Sequence, residues 1–186
     1  GDEVYGDLSV AGWGAFAEYR CAAEDKGWLA LKPEKLSFEQ AAAIPSAALT
    51  ALQGQRKKGQ NQPGQKVLNI CASGGVGTFA VQIAKSLGAE VTAVCSTRKL
   101  DLVRSLGADH VIDYTQEDFT KSGQRYDLIL AIGGNHSLSD YQRALSPGGI
   151  YVCAGGSLAQ YMQAALLGPL ISMVSSKSIS AMFTNP

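Results

Sequence analysis

A surplus of either charge is missing from this 186-residue chain, where 16 Lys and Arg balance 16 Asp and Glu. General electrostatic affinity for nucleic acid or an anionic membrane surface is thereby excluded as the basis of function. Histidine is scarce, with only His110 and His136, and none of Cys21, Cys71, Cys95 and Cys153 stands at ligand-like spacing from another cysteine or from a histidine. Neither a metal site nor a disulfide framework is expected, and the cysteines read as reduced thiols of a cytoplasmic protein, three of them in buried strands. The longest apolar stretch, Ala164 to Val174, is too short to span a bilayer and contains Pro169. The chain opens on Gly-Asp-Glu-Val-Tyr-Gly, with no initiator Met and no cationic, apolar leader. The expectation is a piece of something longer. With 46% apolar and 17% charged residues, disorder is excluded, and the length suits one domain or one and a half.

What is present changes character along the chain. Glu3-Val4-Tyr5 and the longer Gly14 to Cys21 read as strands, with glycines supplying the turns between them. Ser37 with Gln40 three residues on forms a capping-box pattern before an Ala-rich helix that is interrupted near Pro45 and resumes through Gln55. Residues 56–65, without apolar period, read as a surface loop. From Lys66 strands and helices alternate. Val67 to Cys71, Val91 to Cys95, Val111 to Asp113, Leu128 to Ile132 and Ile150 to Ala154 are short apolar runs, and Ser178 to Phe183 reads as a last strand. Between the first two runs, Val76, Phe79, Ala80, Ile83 and Ala84 make one helical stripe that ends at Gly88. A second helix spans Arg98 to Leu106, and a weak one 137–145 precedes Pro147-Gly148-Gly149. Ser-Leu-Gly-Ala occurs at 86–89 and again at 105–108, each time closing a helix and launching a strand. This alternation predicts an α/β fold, a doubly wound parallel sheet with right-handed crossovers.

Ala72-x-Gly74-x-x-Gly77 is a variant of the dinucleotide fingerprint, with Ala in the first glycine position. Such a loop needs a tight turn, a residue without Cβ where backbone meets pyrophosphate, and a third small residue for close helix–strand packing. The helix N-terminus then offers free N–H groups to phosphate. A structural glycine turn is the plainer alternative, but this triplet lies directly between a strand and an amphipathic helix. A methyltransferase-type loop would want an acid at the end of the second strand. So would an NAD site, on the ribose hydroxyls. The chain has Cys95-Ser96-Thr97-Arg98-Lys99 there. A hydroxyl and two cations attract a 2′-phosphate, which points to NADPH; the alternative is a solvated cationic helix end, which opposes the helix dipole.

Gly1 to Gly6, Gly14 to Tyr19, Ala41 to Pro45 with Leu49-Thr50-Ala51, Gly74 to Gly77 with Gln82 to Lys85, Gly107-Ala108-Asp109 and Asp113-Tyr114 follow one another in order. In that order the chain resembles the zinc-free quinone oxidoreductase branch of the medium-chain dehydrogenase/reductase superfamily, over nearly its whole length. The resemblance implies a Rossmann domain over 45–186, preceded at 1–44 by the β-rich tail of a GroES-like catalytic domain. The family's first stretch and its closing C-terminal segment have no counterpart here. Ser46 stands where zinc-dependent relatives have a cysteine ligand, and the cysteine-rich structural-zinc lobe is absent too. Carried over by position, Ser73, Gly74, Gly75, Val76 and Gly77 match the pyrophosphate loop. Lys99 and Tyr114, with Ser96 and Arg98 beside them, match the 2′-phosphate contacts. Ile132, Gly133, Ala154 and Gly155 would flank the nicotinamide half, and Thr50 matches a threonine near the nicotinamide. Thr50 and Tyr114 also have ordinary readings, as a helix residue and a loop aromatic, and the paired glycines as turns.

The function so implied is NADPH-dependent, metal-free transfer of hydride to a conjugated carbonyl: a quinone, an enone or an enoyl thioester. His136 is a candidate proton donor, but its loop position beside Asn135 suits a surface role better. No Tyr-x-x-x-Lys pair supports a short-chain reductase. The rival class is a non-catalytic NADPH-binding sensor or crystallin-like structural protein. The partner expected besides substrate is a second copy, paired through the edge strand 178–183.

Overall fold

The computed structural model describes residues 1–9, 12 and 16–182. It forms two compact units, Gly1–Leu49 and Thr50–Phe183. In the first unit, β1 (Val4–Gly6) pairs antiparallel with β2 (Leu29–Leu31), Tyr5 facing Ala30. Lys32 Nζ lies 2.9 Å from Glu3 Oε2. The helix α1 (Phe38–Ala43) carries the expected capping box: the Ser37 hydroxyl accepts from the Gln40 N–H, and the Gln40 side chain accepts from the Ser37 N–H. The expected strand from Gly14 to Cys21 does not form. Gly14 and Ala15 lie outside the described residues, and 16–21 are bends and irregular backbone with Phe16 and Tyr19 fully outward.

Helix α2 (Pro45–Leu52) continues as a π-helical segment, Gln53–Lys58, where a surface loop was expected from residue 56 onward. Packing explains the difference. A Cβ on Gly54 would stand 2.8 Å from Leu130 Cδ1, and one on Gly59 2.6 Å from Leu128 Cδ2. The wider i→i+5 turn, closed by Gly59 N–H to Gly54 O at 2.8 Å, brings two glycines five residues apart onto the same strand. Gln55 is fully buried, donating to Asn69 Oδ1 at 2.9 Å and accepting from Asn61 Nδ2 at 3.2 Å.

The second unit is built on six parallel strands: β3 (Lys66–Ile70), β4 (Glu90–Cys95), β5 (His110–Asp113), β6 (Tyr126–Ala131), β7 (Leu145–Cys153) and β8 (Ser178–Ala181). Their order is β5-β4-β3-β6-β7-β8. This is the Rossmann arrangement, with the strand order reversing between β3 and β6. Val67, Leu68, Leu128, Ile129 and Leu130 have no exposed surface, as a sheet covered on both faces requires. Helices α3 (Gly75–Ser86), α4 (Leu100–Ser105), α5 (Leu138–Ala144) and α6 (Leu158–Val174) join the strands. The last strand ends two residues short of Phe183, which lies outside the described residues.

Three further details depart from the sequence reading. The second helix opens as a 3-10 turn, Thr97–Lys99, before α4. The segment Pro147-Gly148-Gly149 lies inside β7, beside a register shift against β6. And α6, which the sequence reading did not recognise as a helix, is inverted in its sidedness. Gln160, Ala164 and Gly168 face inward at helical spacing, while Leu158, Leu166, Leu170 and Met173 are 61–82% exposed. Ala164 and Gly168, the small inward residues, let the helix lie almost on the backbone of β8, where a Cβ on Gly168 would meet Ile179 O at 2.5 Å.

Candidate functional site

Each loop singled out in the sequence emerges at the carboxyl edge of this sheet. The residues Ser73 to Gly77 follow β3, Ser96 to Lys99 follow β4, Tyr114 follows β5, Ile132 and Gly133 follow β6, and Ala154 and Gly155 follow β7. Ligands of open parallel sheets bind at this edge, at the point where strand order reverses.

The glycines divide the work. At Gly77 a Cβ would stand 2.2 Å from the Cys71 carbonyl oxygen and 2.6 Å from the Ala72 carbonyl carbon, so this position is closed by helix–strand packing. At Gly75 a Cβ would meet nothing, and at Gly74 only Cys71 O at 3.6 Å. The space in front of those two is open, and the first N–H groups of the twelve-residue helix α3 have no acceptor within it. That is an open cradle of backbone donors of the kind that accepts an anion. Gly155 has no such room, because a Cβ there would stand 2.5 Å from Ile132 O. The turns after β6 and β7 are therefore in contact.

Ser96 caps the 3-10 turn by position only. Its side chain makes no capping hydrogen bond. Arg98 and Lys99 are exposed and make no ion pair among the described residues. Tyr114 is 64% exposed. Ser96, Arg98, Lys99 and Tyr114 thus stand at two adjacent strand ends, with Cys95 paired to Asp113 across the ladder. Thr50 is buried on α2.

Beside the reversal point lies a cavity of about 520 Å³ lined by Cys71, Tyr114, Phe119, Asn135 and His136 among others, with Ile70 and Val94 at the strand ends. Of the residues picked from sequence as coenzyme contacts, Tyr114 alone lines it. Phe119 is buried, and the His136 ring meets it edge-on with centroids 4.8 Å apart. His136 is thus part of an aromatic wall, as well as a loop residue. Asp118, also in the lining, caps the turn that carries Phe119 by accepting from the Thr120 N–H at 3.0 Å. Its carboxyl is held below the usual range, chiefly by the Thr120 hydroxyl. Cys71 corrects the expectation of a buried strand thiol. The strand stops at Ile70, Cys71 turns at φ 62°, and its side chain is exposed and packed toward Gly133. Partial burial pushes its thiol pKa up, which disfavours thiolate chemistry. Cys95 and Cys153 are buried, as expected. Behind the β6 and β7 turns, Tyr141 stacks on Tyr151 with ring centroids 4.4 Å apart. Burial raises the Tyr141 hydroxyl pKa to about 12, so this pair is packing rather than acid–base machinery.

Comparison with known proteins agrees with this geometry. Residues 75–185 match the family model described as zinc-binding dehydrogenase. The chain is 43% identical over 137 residues to the 2-methylene-furan-3-one reductase of Solanum lycopersicum, covering 69% of this chain and 34% of that protein. It is 42% identical over 142 residues to the chloroplastic NADPH-dependent alkenal/one oxidoreductase of Arabidopsis thaliana, covering 72% and 36% respectively. Among solved structures, the quinone oxidoreductase from Coxiella burnetii superposes with a TM-score of 0.81 at 30% identity, over 100% of this chain and 56% of that one. The chain therefore spans about a third to a half of the length of these relatives. With the fold, the glycine cradle and these matches in agreement, the chain belongs to the zinc-binding dehydrogenase family, in the quinone oxidoreductase branch of the medium-chain dehydrogenase/reductase superfamily.

Proposed function

We propose that this chain is the coenzyme-holding part of a metal-independent oxidoreductase that uses NADPH to reduce a conjugated carbonyl compound, an enone, a quinone or an enoyl thioester. One observation carries the reading: an open glycine cradle at the helix α3 N-terminus, followed at the end of β4 by Ser96, Arg98 and Lys99 with no carboxylate on that turn. The relatives named for NADPH-dependent alkenal/one and 2-methylene-furan-3-one reduction support the substrate class.

NADPH when bound supplies the hydride. The Gly74–Gly77 loop would hold its pyrophosphate on backbone N–H groups, Ser96, Arg98, Lys99 and Tyr114 would engage the 2′-phosphate, and Ile132, Gly133, Ala154 and Gly155 would border the nicotinamide half, with Thr50 beside it. As substrate is reduced, negative charge grows on its carbonyl oxygen and needs a hydrogen-bond donor. Ser46 in place of a cysteine ligand supports a metal-independent route. Residues 1–44 belong, in this reading, to a GroES-like catalytic domain and 45–186 to the nucleotide domain. A homodimer formed through the last strand, β8, and a cytoplasmic setting, suited to four free cysteines, complete it.

The test is coenzyme oxidation by the whole protein, stripped of metal by chelation. Consumption of NADPH with a simple enone or quinone, and much slower consumption of NADH, is expected. Coenzyme binding without turnover of any conjugated carbonyl would instead favour the non-catalytic sensor.

A further inference from the structure

The carboxylate of Asp113, at the last position of β5, lies one residue from Tyr114 and directly across the ladder from Cys95. Its Oδ2 accepts from the Thr97 hydroxyl at 2.5 Å. Its Oδ1 accepts from the Thr115 N–H at 3.0 Å and from the Thr115 hydroxyl at 2.8 Å, and the two threonine hydroxyls are 3.2 Å apart. Backbone bonds frame the same spot: Tyr114 N–H donates to Cys95 O at 3.1 Å, and Lys99 N–H to Ser96 O at 2.9 Å. Asp113 therefore ties together two turns whose described residues share one other side-chain contact, between the Thr97 and Thr115 hydroxyls. One turn, Ser96 to Lys99, carries the hydroxyl and the two cations; the other begins with Tyr114.

We infer that Asp113, acting through Thr97, is the positioning residue that fixes the 2′-phosphate pocket and so sets the preference for NADPH over NADH. This rests on the coenzyme reading proposed above. Two other roles for a carboxylate at this place make opposite predictions. A free carboxylate would repel the 2′-phosphate. A carboxylate aimed at the adenosine ribose would bind NADH directly. Here both oxygens are occupied by threonine donors, which spread the charge inward and hold Thr97 with its neighbours Ser96 and Arg98. The carboxyl accordingly sits below its usual pKa range, with the Thr97 hydroxyl as the largest cause. Because the Thr97 hydroxyl already donates its one hydrogen to Asp113, its contribution to phosphate binding runs through the geometry of the turn.

The experiment is a titration of NADPH and NADH into wild type, Asp113→Asn, Thr97→Val, Thr97→Ser and the Asp113→Asn/Thr97→Val double variant. Both single losses are expected to weaken NADPH by about tenfold, the value of one charge-assisted hydrogen bond, with NADH little changed. The double variant should be no worse than the worse single variant, because one link is being cut twice. Thr97→Ser keeps the hydroxyl and should retain wild-type selectivity. Thermal melts accompany each variant, and a fall in stability with an unchanged NADPH-to-NADH ratio would overturn the inference. So would tighter NADPH binding by Asp113→Asn, which marks simple repulsion, or a matching loss of NADH, which marks a ribose contact. Equal wild-type affinity for the two coenzymes would refute the coenzyme reading itself; a wild-type preference that survives both substitutions refutes this inference alone.

Discussion

Adding one methyl group at Gly77 and, separately, at Gly75 gives a sharp test of how the nucleotide loop is built. Alanine is the better helix former by about 1 kcal/mol, so on propensity alone both changes stabilise α3. The surroundings reverse this at one position. A Cβ on Gly77 would lie 2.2 Å from a backbone carbonyl oxygen and 2.6 Å from a backbone carbon, neither at the tip of a flexible side chain. The gap is roughly an ångström too small, and overpacking of that kind costs about 1–3 kcal/mol. Helix α3 or the β3 turn must shift to admit it. A clash with backbone takes the upper part of that range, about 2–3 kcal/mol, so after the propensity gain a net loss of about 1–2 kcal/mol is expected, which for a protein of this size lowers Tm by roughly 2–8 °C. Coenzyme affinity should fall with it, because the helix N-terminus moves relative to the turn. At Gly75 the added methyl meets no protein atom. Gly75→Ala should leave Tm unchanged or raised, yet weaken NADPH, since in the proposed reading the methyl enters the space that pyrophosphate would take. Scanning calorimetry and coenzyme titration on the two variants decide the matter. A Gly77→Ala protein as stable as wild type, or a Gly75→Ala protein with undiminished affinity, would refute the division of labour between these glycines.

Lys99→Ala should weaken NADPH by one to two decades, about 1.5–3 kcal/mol for a charge-assisted contact, and leave NADH nearly unchanged when both are titrated. Gln55→Ala strands buried polar groups on Asn69 and Asn61 and opens a hole beneath the π-helical turn; a loss of about 2–3 kcal/mol in urea unfolding is expected. Asp109 should give the fold an acid limb. Burial pushes its carboxyl pKa up, but the Lys85 ammonium and the Val91 N–H outweigh this and leave it below the usual value. Its contribution is present above the unfolded pKa of about 3.9 and is lost as pH falls through the lower folded value. Asp109→Asn should therefore lower stability at pH 6 and flatten the decline seen in wild type below pH of about 4, measured by urea titration at each pH.

Much of the nucleotide unit was legible because its signals are local. Runs such as Val67 to Ile70 and Val91 to Cys95 are apolar at every position, the mark of strands covered on both faces. The glycine triplet sits where one such run meets an amphipathic stripe. Other elements hid for identifiable reasons. The π-helical segment Gln53–Lys58 reads as a loop because its inward positions are Gly and Gln rather than large apolar residues. In α6 the apolar residues surround the helix and the inward face is small, so no period appears. Alternation from Gly14 to Cys21 imitates a strand, but a strand also needs a neighbour to pair with, and among the described residues of 16–21 there is none. The cavity wall was least legible. Phe119, Asn135 and His136 come from loops after different strands, and only the order β5-β4-β3-β6 makes them neighbours.

That strand order also bears on how the domain assembles. Within each half of the sheet, every strand pairs with one that follows it closely in the chain: β3 with β4 and β4 with β5, then β6 with β7 and β7 with β8. One ladder, β3 with β6, joins the halves. At its far end the Lys66 N–H is pinned by the Asp127 carboxylate at 2.9 Å across 61 residues of chain. Loop-closure entropy makes this the costliest pairing to form. Two half-sheets that gather early and zip along a late seam are the expected route, and native-state hydrogen exchange should resolve them as separate cooperative blocks. The cavity lies at one end of that seam, so a ligand seated across it fastens together the two blocks that the chain itself joins last.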